Sequence, residues 1–191
     1  YIATKYKIDY KKTDIADILE VVAGEYSYNP LKDYLEGCES HYKQLVNQRD
    51  PFDILRHYLN IKDDDYNRVI IDLFFRGAVA KVFNPEIKFD FVLDLTGRQG
   101  VGKTQFFEGL FTHKYFTTVE TFTDKDDKAR MVRNWCVFDD EMVASKKASF
   151  SELKKFITET KLEYRPPYAM SDRRMPKSFI IVRATNDHDY L

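Results

Sequence analysis

The stretch "DLTGRQGVGKTQFFEGLF", residues 94 to 111, constrains the fold of this chain more than any other part of the sequence. Gly97, Gly102, Lys103 and Thr104 follow the spacing G-x-x-x-x-G-K-T, the pattern of a P-loop. Glycines let such a loop bend so that successive backbone N–H groups face one concavity, at the positive end of the following helix. The pattern therefore predicts a strand, a phosphate-binding loop and a helix, in that order.

The loop predicts binding of a nucleoside triphosphate, without specifying its base. Lys103 is expected to reach the outer phosphates, and the Thr104 hydroxyl is expected to bind Mg²⁺. A glycine turn that happens to precede a lysine is the alternative, which the apolar run before the loop and the helical pattern after it disfavour. The predicted phosphate cradle consists of eight consecutive residues: Gly97, Arg98, Gln99, Gly100, Val101, Gly102, Lys103 and Thr104.

Composition excludes several classes of protein. The 191 residues suffice for one domain of ordinary size and a smaller one, and 30 basic against 31 acidic residues give a net charge of -1. Any nucleic-acid surface must therefore be a local patch. Cys38 and Cys136 show no disulfide or zinc pattern and favour a reducing cytoplasm. No apolar run has the length of a membrane span. Because the chain begins at Tyr1, we expect its N-terminus to be missing.

Residues 1–87 are predicted to form a helical N-terminal region. "DIADILEVV" repeats apolar residues at helical spacing, and "NPLKDYLEG" has Pro30 in a first helical turn and Gly37 as a stop. A further helix in "DDYNRVIIDLFFRGAVAKVF" is expected to be well buried because its apolar stripe is wide: Ile70, Phe74, Ala78 and Val82, with Val69 and Leu73 alongside.

Residues 88–191 are predicted to form an α/β domain. "FDFVLDL", "WCVFDD" and "SFIIVRAT" are short, dense apolar runs that are typical of buried strands. "SFSELKKFIT" predicts a helix that begins with a capping box of Ser149 and Glu152. Alternating helices and buried strands predict a mainly parallel sheet with flanking helices, and the glycine-rich pattern makes this a P-loop NTPase domain.

An acidic strand end predicts the second half of a hydrolytic site. "WCVFDDE" finishes in Asp139, Asp140 and Glu141. We assign Asp140 to Mg²⁺ and Glu141 to activation of water. Asp139 stays open as the alternative metal ligand, because a slip of one residue exchanges the two. A solvated acidic strand exit is the structural alternative, which the preceding P-loop disfavours.

A third strand end supplies a polar residue. Thr185 and Asn186 follow the apolar run that begins at Phe179, and α/β sheets place ligand-facing residues at such carboxyl ends. The Asn186 amide is expected to contact both the γ-phosphate and the attacking water. A plain turn formed by Asn186 and Asp187 is the alternative.

In this order, the motifs resemble those of superfamily 3 helicases, an AAA+-related group. More narrowly, the chain resembles the virulence-associated protein E family of phages and phage-derived islands. The resemblance covers roughly residues 28–191 and rests on "NPLKDYLEG", "GRQGVGKTQFFEGL", "ELKKFIT", "YRPPYA" and "ATNDHDYL". It makes Lys103, Glu141 and Asn186 the matching catalytic positions, with Thr104 and Asp140 as the metal positions.

The resemblance implies an ATP-driven replicative DNA helicase in a bacterial host cytoplasm, serving a phage or mobile element. It implies ATP and Mg²⁺ as cofactors, single-stranded or forked DNA as partner, a homo-oligomeric ring such as a hexamer, and often a primase. The arginines that the family lends to a neighbour's ATP lie after the Thr-Asn motif, whereas this chain stops at Leu191. We therefore expect residues 1–191 to bind ATP–Mg²⁺, to hydrolyse it slowly and to form rings weakly.

The segment before the third strand predicts the DNA contact. "LEYRPPYAMSDRRMPKSFIIV" interleaves basic groups with aromatic rings, which suits a phosphate backbone and its bases, and its prolines exclude a regular helix. The resemblance implies that it forms a hairpin projecting into the channel of a ring; a solvated loop is the alternative. The predicted DNA-binding residues are Arg165, Tyr168, Arg173, Arg174 and Lys177.

Three functional hypotheses stay open on the sequence alone. The first is a helicase motor that couples ATP hydrolysis to movement along DNA. The second is an ATP-gated module that binds DNA or protein without processive movement. The third is a P-loop kinase acting on a small molecule, which the Asp-Glu pair and the Thr-Asn strand end fit less well than they fit water as the acceptor.

Overall fold

The computed structural model describes residues 11–26, 28–45, 50–165 and 172–186. The chain divides into two compact units, Tyr1–Lys43 and Gln44–Leu191. The first unit holds helices α1 (Lys12–Glu25) and α2 (Pro30–Lys43), which confirms both predicted helices. The expected stop at Gly37 is wrong, because α2 continues for another six residues. A glycine inside a helix costs only about 1 kcal/mol, which the turns on either side can offset.

Two helices open the second unit, α3 (Pro51–Leu59) and α4 (Asp65–Phe83), each capped by an aspartate that accepts backbone N–H bonds. Helix α4 buries less of its apolar stripe than predicted. Phe74, Ala78 and Val82 are buried, whereas Val69 is 65% exposed and Leu73 is 41% exposed. The buried face also includes Ile71 and Lys81, and Val69 and Leu73 lie on the opposite side of the helix.

The remaining elements of the second unit alternate between strands and helices at first, and end with two helices and three strands. They are β1 (Val92–Thr96), α5 (Lys103–Leu110), β2 (Phe116–Thr118), α6 (Lys125–Met131), β3 (Cys136–Asp139), α7 (Val143–Lys147), α8 (Phe150–Thr158), β4 (Lys161–Tyr164), β5 (Arg173–Pro176) and β6 (Ile180–Thr185). The main sheet has the order β1-β6-β3-β2, and each of its pairs is parallel. The predicted α/β class with a mainly parallel sheet is therefore confirmed, and so is the capping box at the start of α8.

Each face of the main sheet carries its own apolar layer. On one face, Val137 and Ile181 pack with Phe156 of α8 and Ala144 of α7. On the other face, the rings of Phe107 and Phe138 lie 6.0 Å apart. Both layers follow from the period of two in a strand, which sends neighbouring side chains to opposite faces.

A second, two-stranded sheet follows α8. Strands β4 and β5 pair antiparallel, with Lys161 opposite Pro176 and Tyr164 opposite Arg173. This pairing agrees with the hairpin that the family resemblance implied. The predicted domain boundary between residues 87 and 88 lies inside the second compact unit and stays a prediction.

Candidate functional site

Three parallel strands end at the same edge of the main sheet, and each end delivers a predicted site residue there. The glycine-rich loop, residues 97–104, follows β1; Asp140 and Glu141 follow β3; Asn186 follows β6. In-register pairing of β1 with β6, and of β6 with β3, sets these ends side by side. Residues that are more than 80 positions apart in the sequence therefore meet within hydrogen-bonding distance.

The glycine-rich loop requires glycine at two positions. Gly100 has φ +77° and Gly102 has φ +83°, a left-handed conformation that side chains with a Cβ rarely adopt. Gly102 is also the N-cap of α5, so the loop opens directly onto a helix N-terminus. The loop is fixed at its start, where the Gly97 amide donates to the Thr185 carbonyl at 3.2 Å.

The Lys103 ammonium lies at the centre of the site. It donates to the carbonyl oxygens of Gly97 at 2.6 Å and Arg98 at 3.2 Å, and to the Asn186 side-chain oxygen at 2.9 Å. All three acceptors are neutral. An anionic oxygen at this place would make a stronger, charge-assisted bond to the same ammonium.

Two further polar pairs complete the site. The Thr104 hydroxyl donates to an Asp140 carboxylate oxygen at 3.4 Å, and the Asn186 amide nitrogen donates to Glu141 Oε1 at 2.6 Å. Asn186 thus contacts both Lys103 and Glu141, one through its oxygen and the other through its nitrogen. The predicted phosphate, metal and water-activating groups are contiguous.

Asp139 has a different role from its neighbours. Its side chain is fully buried and accepts from the amides of Ala144 and Ser145, at 2.8 Å and 2.9 Å. The Ser145 hydroxyl donates to the same carboxylate at 2.6 Å. These bonds tie the end of β3 to the start of α7, and the Thr104 hydroxyl bonds to the neighbouring Asp140 instead.

A strained turn aims Glu141 at the site. Glu141 has φ 51° and Met142 has φ 53°, so two consecutive side-chain-bearing residues are left-handed. Such conformations cost about 1–3 kcal/mol each and persist where the surroundings hold them. Met142 is 3% exposed, and Asp139 fixes the residues that follow, so packing and hydrogen bonds both hold the turn.

An ion pair between β1 and β6, two residues before the strand ends that carry the site, was not predicted from the sequence. Arg183 Nε donates to Asp94 at 2.7 Å, and the Arg183 guanidinium also donates to the Ser145 hydroxyl at 3.3 Å. The signal was present, because "FVLDLT" and "IIVRAT" each carry one charge two residues before their final threonine. The charges lie opposite each other in register and link β1, β6 and α7.

The acidic residues here suit a cation only if a ligand supplies further oxygens. Among the described residues, no group of three or more His, Cys, Asp or Glu side chains is placed to hold a metal ion. Mg²⁺ commonly takes one or two carboxylates and keeps water and phosphate oxygens as its other ligands. The Thr104 and Asp140 pair fits such a site.

A cleft of about 910 Å³ opens beside the glycine-rich loop. It is bordered by β1, by Arg98 and Val101 of the loop, and by Tyr58 and Tyr66 from the two helices that precede the sheet. The volume lies within the range of small-molecule sites. The site therefore adjoins enough space for the rest of a nucleotide.

The predicted DNA-binding residues are divided by the structure. Arg165, Arg173 and Arg174 are exposed on or next to the hairpin strands, and Arg174 lies 3.7 Å from Glu163 across the pair. Tyr168 lies outside the described residues. The prediction that Lys177 contacts DNA is wrong, because its side chain is 4% exposed and its ammonium donates to the Phe156 carbonyl.

Comparisons with known proteins agree with the architecture. The model of the virulence-associated protein E-like domain matches residues 35–191. The A form apo structure of the NrS-1 C-terminal region has a TM-score of 0.51 and 17% identity, covering 76% of this chain and 36% of that one. A second A form structure of this region has a TM-score of 0.50 and 16% identity, covering 76% of this chain and 35% of that one. Likeness at this identity shows the fold alone.

The chain spans about a third of the length of these solved structures. No curated protein matches it. Within the described ranges, no helix is both long and apolar enough to cross a bilayer.

Proposed function

We propose that this chain, which belongs to the virulence-associated protein E-like domain family, is the ATP-hydrolysing part of a helicase-like DNA-replication motor of a phage or mobile element. One observation carries the proposal: the phosphate loop, the Thr104–Asp140 pair and the Glu141–Asn186 pair meet at one sheet edge. A P-loop NTPase needs these three groups together, and a structural turn would need none of them.

The triphosphate is proposed to lie over the glycine-rich loop. Backbone amides of the loop and the N-terminus of α5 would bind its oxygens. The Lys103 ammonium would exchange its neutral acceptors for the outer phosphates, since charged acceptors bind it more strongly. ATP is proposed as the nucleotide on the family resemblance.

Mg²⁺ is proposed to bind at the Thr104 hydroxyl and the Asp140 carboxylate. When bound, it would neutralise charge on the phosphate oxygens. Asp140 holds the hydroxyl in place at 3.4 Å, and Asp139 is committed to α7.

Glu141 is proposed as the base that activates water. Its carboxylate would take one proton from the water, whose oxygen forms a bond to the γ-phosphorus as the bond to ADP breaks. Asn186 holds the Glu141 carboxylate at 2.6 Å and contacts Lys103, so it orients the base relative to the phosphate.

The metal assignment makes opposite predictions for two neighbouring aspartates. Asp140→Ala should weaken Mg²⁺-dependent ATP binding and leave thermal stability near that of the unmodified chain, because Asp140 is partly exposed. Asp139→Ala should lower the free energy of unfolding by about 1–3 kcal/mol, because the buried amides of α7 lose their acceptor. Calorimetric titration with and without Mg²⁺, together with thermal melts, checks both. An exchange of these two phenotypes would assign the metal to Asp139.

DNA is proposed to contact the hairpin of β4 and β5 through its exposed arginines. Arg173→Ala with Arg174→Ala should weaken binding of single-stranded DNA about equally for all sequences. The double variant should also flatten the salt dependence, since phosphate contacts set that slope. Fluorescence anisotropy across a salt series measures both.

The matched control is Lys154→Ala with Lys155→Ala, which removes two positive charges from the exposed surface of α8. It should leave the affinity and the salt slope nearly unchanged. If the arginine variant behaves like this control, the hairpin is a structural loop. Ring assembly, a hexameric state and a primase partner remain predictions that rest on the family resemblance.

A further inference from the structure

Lys177 is a buried cation at the root of the hairpin, and neither the nucleotide site nor the DNA surface uses it. Its ammonium donates to the carbonyls of Phe156 and Ile157, in the last turn of α8. It also lies 4.4 Å from the centre of the Phe156 ring and 5.6 Å from that of Phe179. A cation suits this place, because the end of a helix carries partial negative charge and aromatic faces attract cations.

Lys177 joins both strands of the hairpin to one point. It directly follows β5, and its backbone amide donates at 2.9 Å to Thr160, the residue before β4. The end of β5 and the start of β4 are therefore held together at Lys177, which is bonded to the end of α8. The register of β4 with β5 starts at the same level, with Lys161 opposite Pro176.

Lys177 also lies close to the start of β6, the strand that Asn186 follows. Only Ser178 and Phe179 separate Lys177 from β6, and the first amide of β6 donates to Trp135 at 2.9 Å. Strand β6 is paired on both sides, so its two ends are held in a fixed position relative to each other. At its far end, Asn186 contacts Lys103 and Glu141.

We infer that Lys177 is a positioning residue that fixes the hairpin to strand β6, so that the state of the nucleotide at Asn186 sets the affinity of the hairpin for single-stranded DNA. The inference rests on the proposed function. It assigns the coupling of the two sites to a residue that touches neither ligand.

The charge on Lys177 is kept at a cost to folding. Burial, and to a lesser extent the nearby Lys81, lower the pKa of Lys177 from 10.5 to about 8, while Glu159 and Asp90 oppose that shift. Lys81 is itself buried, and burial lowers its pKa as well. An apolar residue of similar length would avoid this desolvation.

Protonation of Lys177 predicts a pH dependence that a purely structural role would not produce. Between the folded pKa near 8 and the unfolded pKa near 10.5, the unfolded chain binds more protons, so this group makes the protein more stable as pH rises. The neutral amine loses its attraction to the helix end and the rings. Coupling between nucleotide and DNA should therefore fall as pH rises through about 8, while the Lys177 contribution to stability rises.

The test is anisotropy of labelled single-stranded DNA, with and without Mg²⁺ and a non-hydrolysable ATP analogue, over pH 7 to 9. In the unmodified chain the analogue should change DNA affinity by roughly fivefold or more at pH 7, the lower end of usual coupling. Lys177→Met should bind the analogue normally, melt no lower than the unmodified chain, and reduce that ratio to about one. Lys154→Met, an exposed change on α8, is the matched control and should keep the ratio.

The inference is overturned if the analogue still changes the DNA affinity of Lys177→Met. It is also overturned if the analogue has no effect on the DNA affinity of the unmodified chain at pH 7, or if that effect is the same from pH 7 to 9. Each of these results leaves the proposed function standing. Failure of the unmodified chain to bind the analogue at all overturns the proposed function. If Lys177→Met does not fold, the pH series on the unmodified chain decides the question without any substitution.

Discussion

Glu141→Gln is expected to bind Mg²⁺–ATP with nearly unchanged affinity and to lose turnover by about 10²–10⁴-fold, the usual contribution of a general base. Glutamine has the size of glutamate, and its side-chain oxygen can still accept the hydrogen bond that Asn186 donates at 2.6 Å. Its amide cannot take a proton from water. Calorimetry measures the affinity, and phosphate release under saturating ATP measures the turnover.

The control for this variant is Glu108→Gln. Glu108 lies on α5, close to the site in sequence, but its carboxylate is paired with His113 at 2.9 Å. The same chemical change there should leave turnover intact. Full turnover in Glu141→Gln would assign the base to another group, and a collapse of affinity would make Glu141 part of the nucleotide-binding site instead.

Lys103→Ala is expected to lower ATP affinity by at least roughly tenfold. The substitution removes a charge-assisted bond to phosphate, worth ~1.5–3 kcal/mol, and each 1.4 kcal/mol is a factor of ten. Because the Lys103 ammonium contacts Gly97, Arg98 and Asn186 in the structure, the variant also frees Asn186 from one of its two partners. Turnover at saturating ATP should therefore fall as well.

Lys114→Ala is the matched control. Lys114 is exposed in the loop after α5, where its ammonium lies 5.1 Å from the ring of Tyr115. Its removal changes the net charge by the same amount, and ATP affinity should stay unchanged. Equal affinity of Lys103→Ala and Lys114→Ala would show that Lys103 does not bind phosphate.

Local patterns predicted the elements that surround the site. The three apolar runs form β1, β3 and β6, and the capping box of Ser149 and Glu152 is present. These signals are local, because an apolar run and a helix cap are each formed by a few consecutive residues. The short strand β2 and the helices α3, α6 and α7 were not predicted.

The roles of adjacent charged residues were not predictable in the same way. Asp139 and Asp140 have the same chemistry, and only the packing of α7 over the end of β3 commits one of them to backbone amides. Lys177 looked like a DNA contact because it stands in a basic segment. Its burial depends on the carbonyls and rings of α8, which lie about 20 residues earlier in the sequence.

The fate of the ATP γ-phosphate tests the central claim most directly. We would incubate the chain with Mg²⁺ and ATP labelled at the γ-phosphate, with and without single-stranded DNA, and follow where the label goes. We predict that the label is released as inorganic phosphate, faster with DNA, and that this release is lost in Glu141→Gln. Label that stays in ATP under both conditions would contradict hydrolysis and favour a binding module. Label that appears on a small acceptor molecule would contradict water as the acceptor and favour a kinase.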